Sequence, residues 1–134
     1  MVEAYVDGSY KDGKTSWAAV IVKDGELHTE FSGLLDEETV AGTRQVAGEV
    51  KAVEEVLLWC KKQGISSVKV FYDYMGIECW ATGAWKANLP LTQGYRDCVR
   101  SSKIKIEWVK VKSHSGIKYN EQVDKLARRL VEGL

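Results

Sequence analysis

Four acidic residues stand at places where a carboxylate can do more than face water. Asp7 follows the apolar run Val2–Val6, and Asp73 follows Val68-Lys69-Val70-Phe71-Tyr72. Glu49 directly precedes Val50, after the small pair Ala47-Gly48, and Asp124 lies beside Val123. Both helical acids thus fall on the border of an apolar stripe, and both remaining acids fall at the ends of strand-like runs, where sites form in α/β sheets. Carboxylates that converge repel one another and need cations. Mg²⁺, a hard ion that prefers oxygen ligands, meets that need. Two such ions about 4 Å apart can activate a water and stabilise a leaving oxygen in phosphodiester hydrolysis. Taken singly, each acid also has an ordinary explanation: a helical Glu on a solvated face, or an Asp serving a turn or cap. Spacing alone leaves both explanations open.

The elements that must position these acids can be read from period and punctuation. Val2–Val6, closed by Asp7-Gly8-Ser9, reads as a strand entering a turn. Trp17-Ala18-Ala19-Val20 with Val22 reads as a strand buried on both faces. Leu27, Thr29 and Phe31 alternate with His28, Glu30 and Ser32 as in a half-buried strand. Asp12-Gly13 and Asp24-Gly25 supply hairpin turns between them. The period then changes: Val46, Val50, Val53, Leu57 and Cys60 mark an amphipathic helix ending near Gly64. A fourth strand at 68–72, short helices at 74–81 and 91–101, a fifth strand at 104–111 and a last helix through Val123, Leu126, Ala127 and Leu130 complete the order βββαβααβα. The expected fold class is α/β, a five-stranded mixed sheet with helices on both faces.

Composition narrows the classes. The 134 residues are 45% hydrophobic and 28% charged, enough for one hydrophobic core, and are expected to form one domain over 1–134. No apolar run approaches membrane-spanning length, and the first residues do not form a signal peptide. Cys60, Cys79 and Cys98 are odd in number and widely spaced, which favours reduced thiols and a cytoplasmic setting. Net charge is zero, but residues 1–60 hold five Lys/Arg against twelve Asp/Glu while residues 95–134 hold ten against five. That polarity permits a basic surface for phosphates, as it also permits ordinary solvated helices.

The pieces Tyr5-Val6-Asp7-Gly8-Ser9, Ala47-Gly48-Glu49, Phe71-Tyr72-Asp73-Tyr74 and His114-Ser115-Gly116, the last followed by Asn120-Glu121-Gln122-Val123-Asp124-Lys125-Leu126-Ala127, resemble type 1 ribonuclease H in content and order. The closing motif is the most specific of them, and the likeness spans the chain from Tyr5 to about Leu130. It lacks two features of the bacterial type: Asn-x-Pro-Gly after Asp-Gly-Ser, and a long basic handle between the fourth and fifth strands. Arg44–Glu49, Tyr72–Glu78 and Trp80–Asn88 resemble instead the subgroup found behind a viroplasmin-like hybrid-binding domain, although no such N-terminal domain is expected within these residues.

The resemblance implies a ribonuclease H-like fold and cleavage of the RNA strand of an RNA–DNA hybrid, leaving 5′-phosphate and 3′-hydroxyl ends. It implies that Asp7 bridges two Mg²⁺ ions, with Mn²⁺ a substitute, that Asp124 completes the shell of the first, and that Glu49 with Asp73 holds the second. His114 would assist proton transfer or product release, while His28 is expected to be structural. Gln45 and Gly48 would meet the RNA strand, and Arg44 and Thr92 occupy positions resembling a DNA-phosphate pocket. Trp85 would stack against DNA sugars and Lys86 would add a phosphate contact, whereas Trp80 is expected in the core. Contacts of this kind position a duplex without reading its sequence. A monomer without a protein partner is expected. Two other classes stay in view: a hybrid-binding module with a dead site, and a junction-resolving or integrase-like nuclease on the same fold, which lacks the closing motif.

Overall fold

The computed structural model describes residues 1–36, 43–111 and 118–133. The strands are β1 (Val2–Lys11), β2 (Lys14–Lys23), β3 (Glu26–Leu35), β4 (Ser67–Tyr72) and β5 (Lys105–Lys110). The helices are α1 (Gln45–Gln63), α2 (Gly76–Thr82), α3 (Pro90–Ser102) and α4 (Lys118–Glu132). This is the expected order, in one sheet arranged β3-β2-β1-β4-β5. The three hairpin strands pair antiparallel, whereas β4 joins β1, and β5 joins β4, in parallel.

Both hairpins close through two-residue turns whose central residues all have positive φ: Asp12 at 50° with Gly13 at 80°, and Asp24 at 52° with Gly25 at 83°. Asp-Gly tolerates that geometry, and its twist matches the strands it joins. The first turn therefore lies at 12–13, not at 7–9. Asp7-Gly8-Ser9 continues β1, with Asp7 opposite Ala18 and Gly8 opposite Trp17. Asp7 thus sits within a strand rather than at its end, because the ladder to β2 extends five residues beyond Val6 and ends where the Asp-Gly pair reverses the chain.

Alternation along β2 splits the core in two. Ala19 and Ile21 face α1, α2 and α3 in the larger cluster, while Ala18, Val20 and Val22 face Val123 and Ala127 of α4. Helices cover both faces, as expected, and α4 spans β1, β2 and β3. The even alternation expected of Leu27, Thr29 and Phe31 fails at its start. Ile21 pairs with Thr29 but Val22 pairs with Leu27, a bulge that leaves His28 without an opposite number. One inserted residue reverses which face the neighbours occupy. Leu27 is accordingly 49% exposed, and the His28 ring lies 5.8 Å from that of Trp59 on α1.

Helix α1 starts at Gln45 and stops at Gly64, whose left-handed backbone (φ 70°) receives the end of the helix. Its first turns press unusually hard against the sheet. A Cβ on Gly8 would lie 2.6 Å from the Glu49 nitrogen and 2.8 Å from the Gly48 carbonyl carbon, and one on Gly48 would lie 2.9 Å from the Gly8 Cα and closer still to the Ser16 carbonyl oxygen. Two residues without side chains let helix and strand approach more closely than any other pair would allow.

Candidate active site

That close approach builds the site. It carries Glu49, only 3% exposed, to the middle of β1 beside Asp7. Parallel pairing of β1 with β4 then brings the carboxyl end of β4, and hence Asp73, to the same place. Asp7, Glu49 and Asp73 line one pocket of about 390 Å³, together with Gly8, Gln45, Val46, Tyr74, Met75 and Lys110. Asp124 comes from α4, on the other side of the sheet, near enough to Asp7 for the two carboxyl groups to raise the energy of charging one another. All four acids predicted from the sequence therefore meet.

The electrostatics show what this convergence costs. Burial and the neighbouring charges of Glu49 and Asp124 push the Asp7 carboxyl up to about 8, against the opposing pull of the Gly8 N–H, which donates to Asp7 Oδ1 at 2.8 Å. Burial, with repulsion from Asp73, pushes Glu49 up to about 7. Backbone N–H groups of Asp73 and Tyr74 donate to its Oε2 and Oε1 at 2.9 and 3.0 Å, and Lys110 lies near enough to oppose the rise. Desolvation wins over those stabilising contacts.

This donor set fits a divalent cation in its chemistry. The ligand atoms are hard carboxylate oxygens, crowded enough to retain protons near neutral pH when nothing else supplies positive charge. The geometry is not that of a finished cage: among the described residues no group of three or more His, Cys, Asp or Glu side chains is arranged to hold an ion as it stands. Glu49 is held in place by backbone amides at the end of β4, one on each carboxylate oxygen, and each oxygen keeps a further acceptor position facing the pocket's acids.

The remaining predicted residues are placed unequally. Gln45 is exposed at the pocket rim. Gly48 is buried between α1 and the sheet, where its lack of a side chain lets the helix pack against Gly8 and Ser16. Arg44 is exposed with its guanidinium 5.2 Å from the Tyr10 ring centroid. Its backbone (φ 52°, ψ −128°) lies where few side-chain-bearing residues rest. The Thr92 hydroxyl is engaged within the chain. The residue is 3% exposed, and its Oγ1 accepts from the Leu89 N–H and donates to the Leu89 carbonyl, capping α3. Trp85 is 40% exposed and Trp80 packs against the core, while Tyr74 joins both in a triangle of rings 5.8 to 6.2 Å apart. Lys86 is exposed. His114 lies outside the described residues.

Two contributors escaped the sequence reading. Lys110, the last residue of β5 and the ladder partner of Tyr72, enters the pocket beside Glu49. Arg128, one helical turn beyond Asp124, places Nη2 2.8 Å from Asp124 Oδ2. The first follows from the same strand-end logic that selected Asp73. The second was visible as an i,i+4 pair once α4 was assigned.

A mixed sheet ordered 3-2-1-4-5, with acids gathered from β1, α1, the end of β4 and α4, defines a protein of the ribonuclease H-like fold. Solved structures agree: RNase H1 from the archaeon Halobacterium salinarum superposes with a TM-score of 0.81 at 22% identity over 99% of this chain and 98% of that one. LC11-RNase H1, solved in complex with an RNA/DNA hybrid, gives 0.81 at 18% identity over 99% and 98%. The RNase H family model matches residues 1–132, and the chain belongs to that family. Among relatives, the ribonuclease H of Novosphingobium aromaticivorans is 33% identical, covering 94% of this chain and 93% of its own length. That of Syntrophomonas wolfei is 30% identical, covering 97% and 95%.

Proposed function

We propose that this protein is an endonuclease that hydrolyses the RNA strand of RNA–DNA hybrids, without sequence preference, to 5′-phosphate and 3′-hydroxyl products. The observation that carries the proposal is the meeting of Asp7, Glu49 and Asp73 in one pocket, with Asp124 against Asp7, in a chain of the RNase H family. The hybrid bound to LC11-RNase H1, a protein of the same fold, supports the substrate class.

Asp7 with Asp124 would hold one divalent cation, and Asp7 with Glu49 and Asp73 a second, Mg²⁺ in the first instance with Mn²⁺ as a substitute. When bound, such a pair supplies charge to activate water and to stabilise the departing 3′ oxygen. The protein's own groups do the rest. Lys110 offsets negative charge beside Glu49. The exposed Gln45 at the pocket rim would meet the RNA strand, and exposed Trp85 and Lys86 would meet the DNA strand's sugars and phosphates. His114, by its motif, assists proton transfer or product release; an imidazole titrating near neutrality suits either step. Tyr72–Glu78 and Trp80–Asn88 support placement in the subgroup whose catalytic domain follows a viroplasmin-like domain. We further propose a monomer acting in the cytoplasm.

The test is cleavage of a hybrid labelled on its RNA strand, with Mg²⁺ and with excess chelator, alongside duplex DNA, duplex RNA and a four-way junction. Cutting of the hybrid alone, abolished by chelator, is expected. Binding without cutting would leave a hybrid-binding module, and preference for the junction would indicate a resolving nuclease.

A further inference from the structure

The Arg128–Asp124 ion pair has the form of an ordinary surface contact, but its surroundings are not ordinary. Asp124 is held by Arg128, with Nη2 at 2.8 Å from Oδ2, and lies near enough to Asp7 to raise the energy of charging that carboxyl. A second i,i+4 pair, Lys51–Glu55 on α1 at 3.1 Å, involves neither a pocket residue nor one of the four acids. Among the described residues, Arg128 thus brings a guanidinium to Asp124 from α4, as Lys110 brings an ammonium to the pocket from β5.

We propose that Arg128 is a resident counterion of the carboxylate cluster: it stabilises Asp124 beside Asp7 when no metal is bound and, by the same charge, weakens binding of a divalent cation there. This rests on Asp7 and Asp124 being cation ligands. Two opposing effects decide the sign. Holding Asp124 through Oδ2 pre-orients its other oxygen, which favours binding, but only one short side chain is ordered. A full positive charge close to the ion disfavours binding through a Coulomb interaction with a doubly charged partner. Arg128 is half exposed, which screens the repulsion without cancelling it. Repulsion prevails. By linkage, whatever Arg128 adds to the metal-free fold over the metal-bound one is subtracted from metal affinity. Arg128 is a positioning and charge-balancing residue, not a catalytic one.

The experiment titrates MnCl₂ and MgCl₂ into the full chain by calorimetry, with urea unfolding in chelator and in saturating metal. Arg128→Gln is expected to tighten cation binding about threefold or more at low salt. The gain should shrink as KCl is raised, and the loss of stability should be confined to the metal-free protein. Arg128→Lys, which keeps the charge, should restore wild-type affinity, and Lys51→Gln should leave affinity unchanged. Unchanged or weaker binding by Arg128→Gln, or equal destabilisation with and without metal, would overturn the proposal. If the wild type itself binds neither cation, the assignment of Asp7 and Asp124 as ligands fails first.

Discussion

Asp7→Asn should make the metal-free protein more stable above neutral pH while destroying its activity. In the fold, Asp7 is held up to about 8 by burial and by Glu49 and Asp124. An unfolded Asp titrates near 3.9, so across the gap the folded state binds the extra proton. A folded pKa raised above the unfolded value means stability present below about pH 4 and lost progressively up to about pH 8, with a plateau beyond. Four units at 1.36 kcal/mol each set a ceiling of about 5 kcal/mol. Asp7 keeps some contact with water, and Glu49 relaxes when its neighbour's charge is removed, so about 2–3 kcal/mol is expected at pH 8.5. Asparagine has nearly the shape of aspartate, and its Oδ1 can still accept from the Gly8 N–H. The measurement is urea unfolding in chelator at pH 4.5 and pH 8.5, comparing variant with wild type so that other titrations cancel. A shift in midpoint on the order of 1 M is expected at the higher pH, with little at the lower. Saturating Mg²⁺ should narrow the difference, because binding adds about 2.7 kcal/mol to the wild type at a hundredfold excess over Kd. A variant no more stable than wild type at pH 8.5 in chelator would show that the acids do not repel one another in a poorly solvated site.

Gly48→Ala should destabilise the fold, since its methyl group meets Ser16 and Gly8 at a cost of roughly 1–3 kcal/mol, against about 1 kcal/mol gained in helix propensity. Hybrid cleavage should fall further than stability does, because Glu49 is pushed from Asp7; full activity at normal stability would refute the close-contact argument. Thr92→Val should cost about 1–3 kcal/mol by orphaning the Leu89 groups, with hybrid affinity unchanged in a binding titration. Weaker binding would return Thr92 to a phosphate pocket. His114→Ala should slow cleavage without abolishing it, and an unaltered rate across pH would remove the imidazole from the reaction.

The chain's local signals were legible because they arise from neighbouring residues. Asp-Gly pairs specify two-residue turns, a period of about 3.6 marked α1 and α4, and Gly64 marked a helix end. Four acids beside apolar runs, together with the closing motif, were enough to single out the cluster. Local order could not reveal how far β1 extends, since that depends on a partner strand accepting its hydrogen bonds. Nor could it show the bulge at His28, which exists only in the register of β2 against β3. The same limit applied at the site. Gly8 read as part of a turn, and only the fold set it against Gly48 and thereby brought Glu49 to Asp7. The cap that Thr92 forms on Leu89 is set by the local turn of α3, while Lys110 gained its place beside Glu49 from the pairing of β4 with β5. Residue type and spacing determine what a side chain can offer; which groups reach it, and whether water reaches it first, is decided by contacts between segments far apart in the chain.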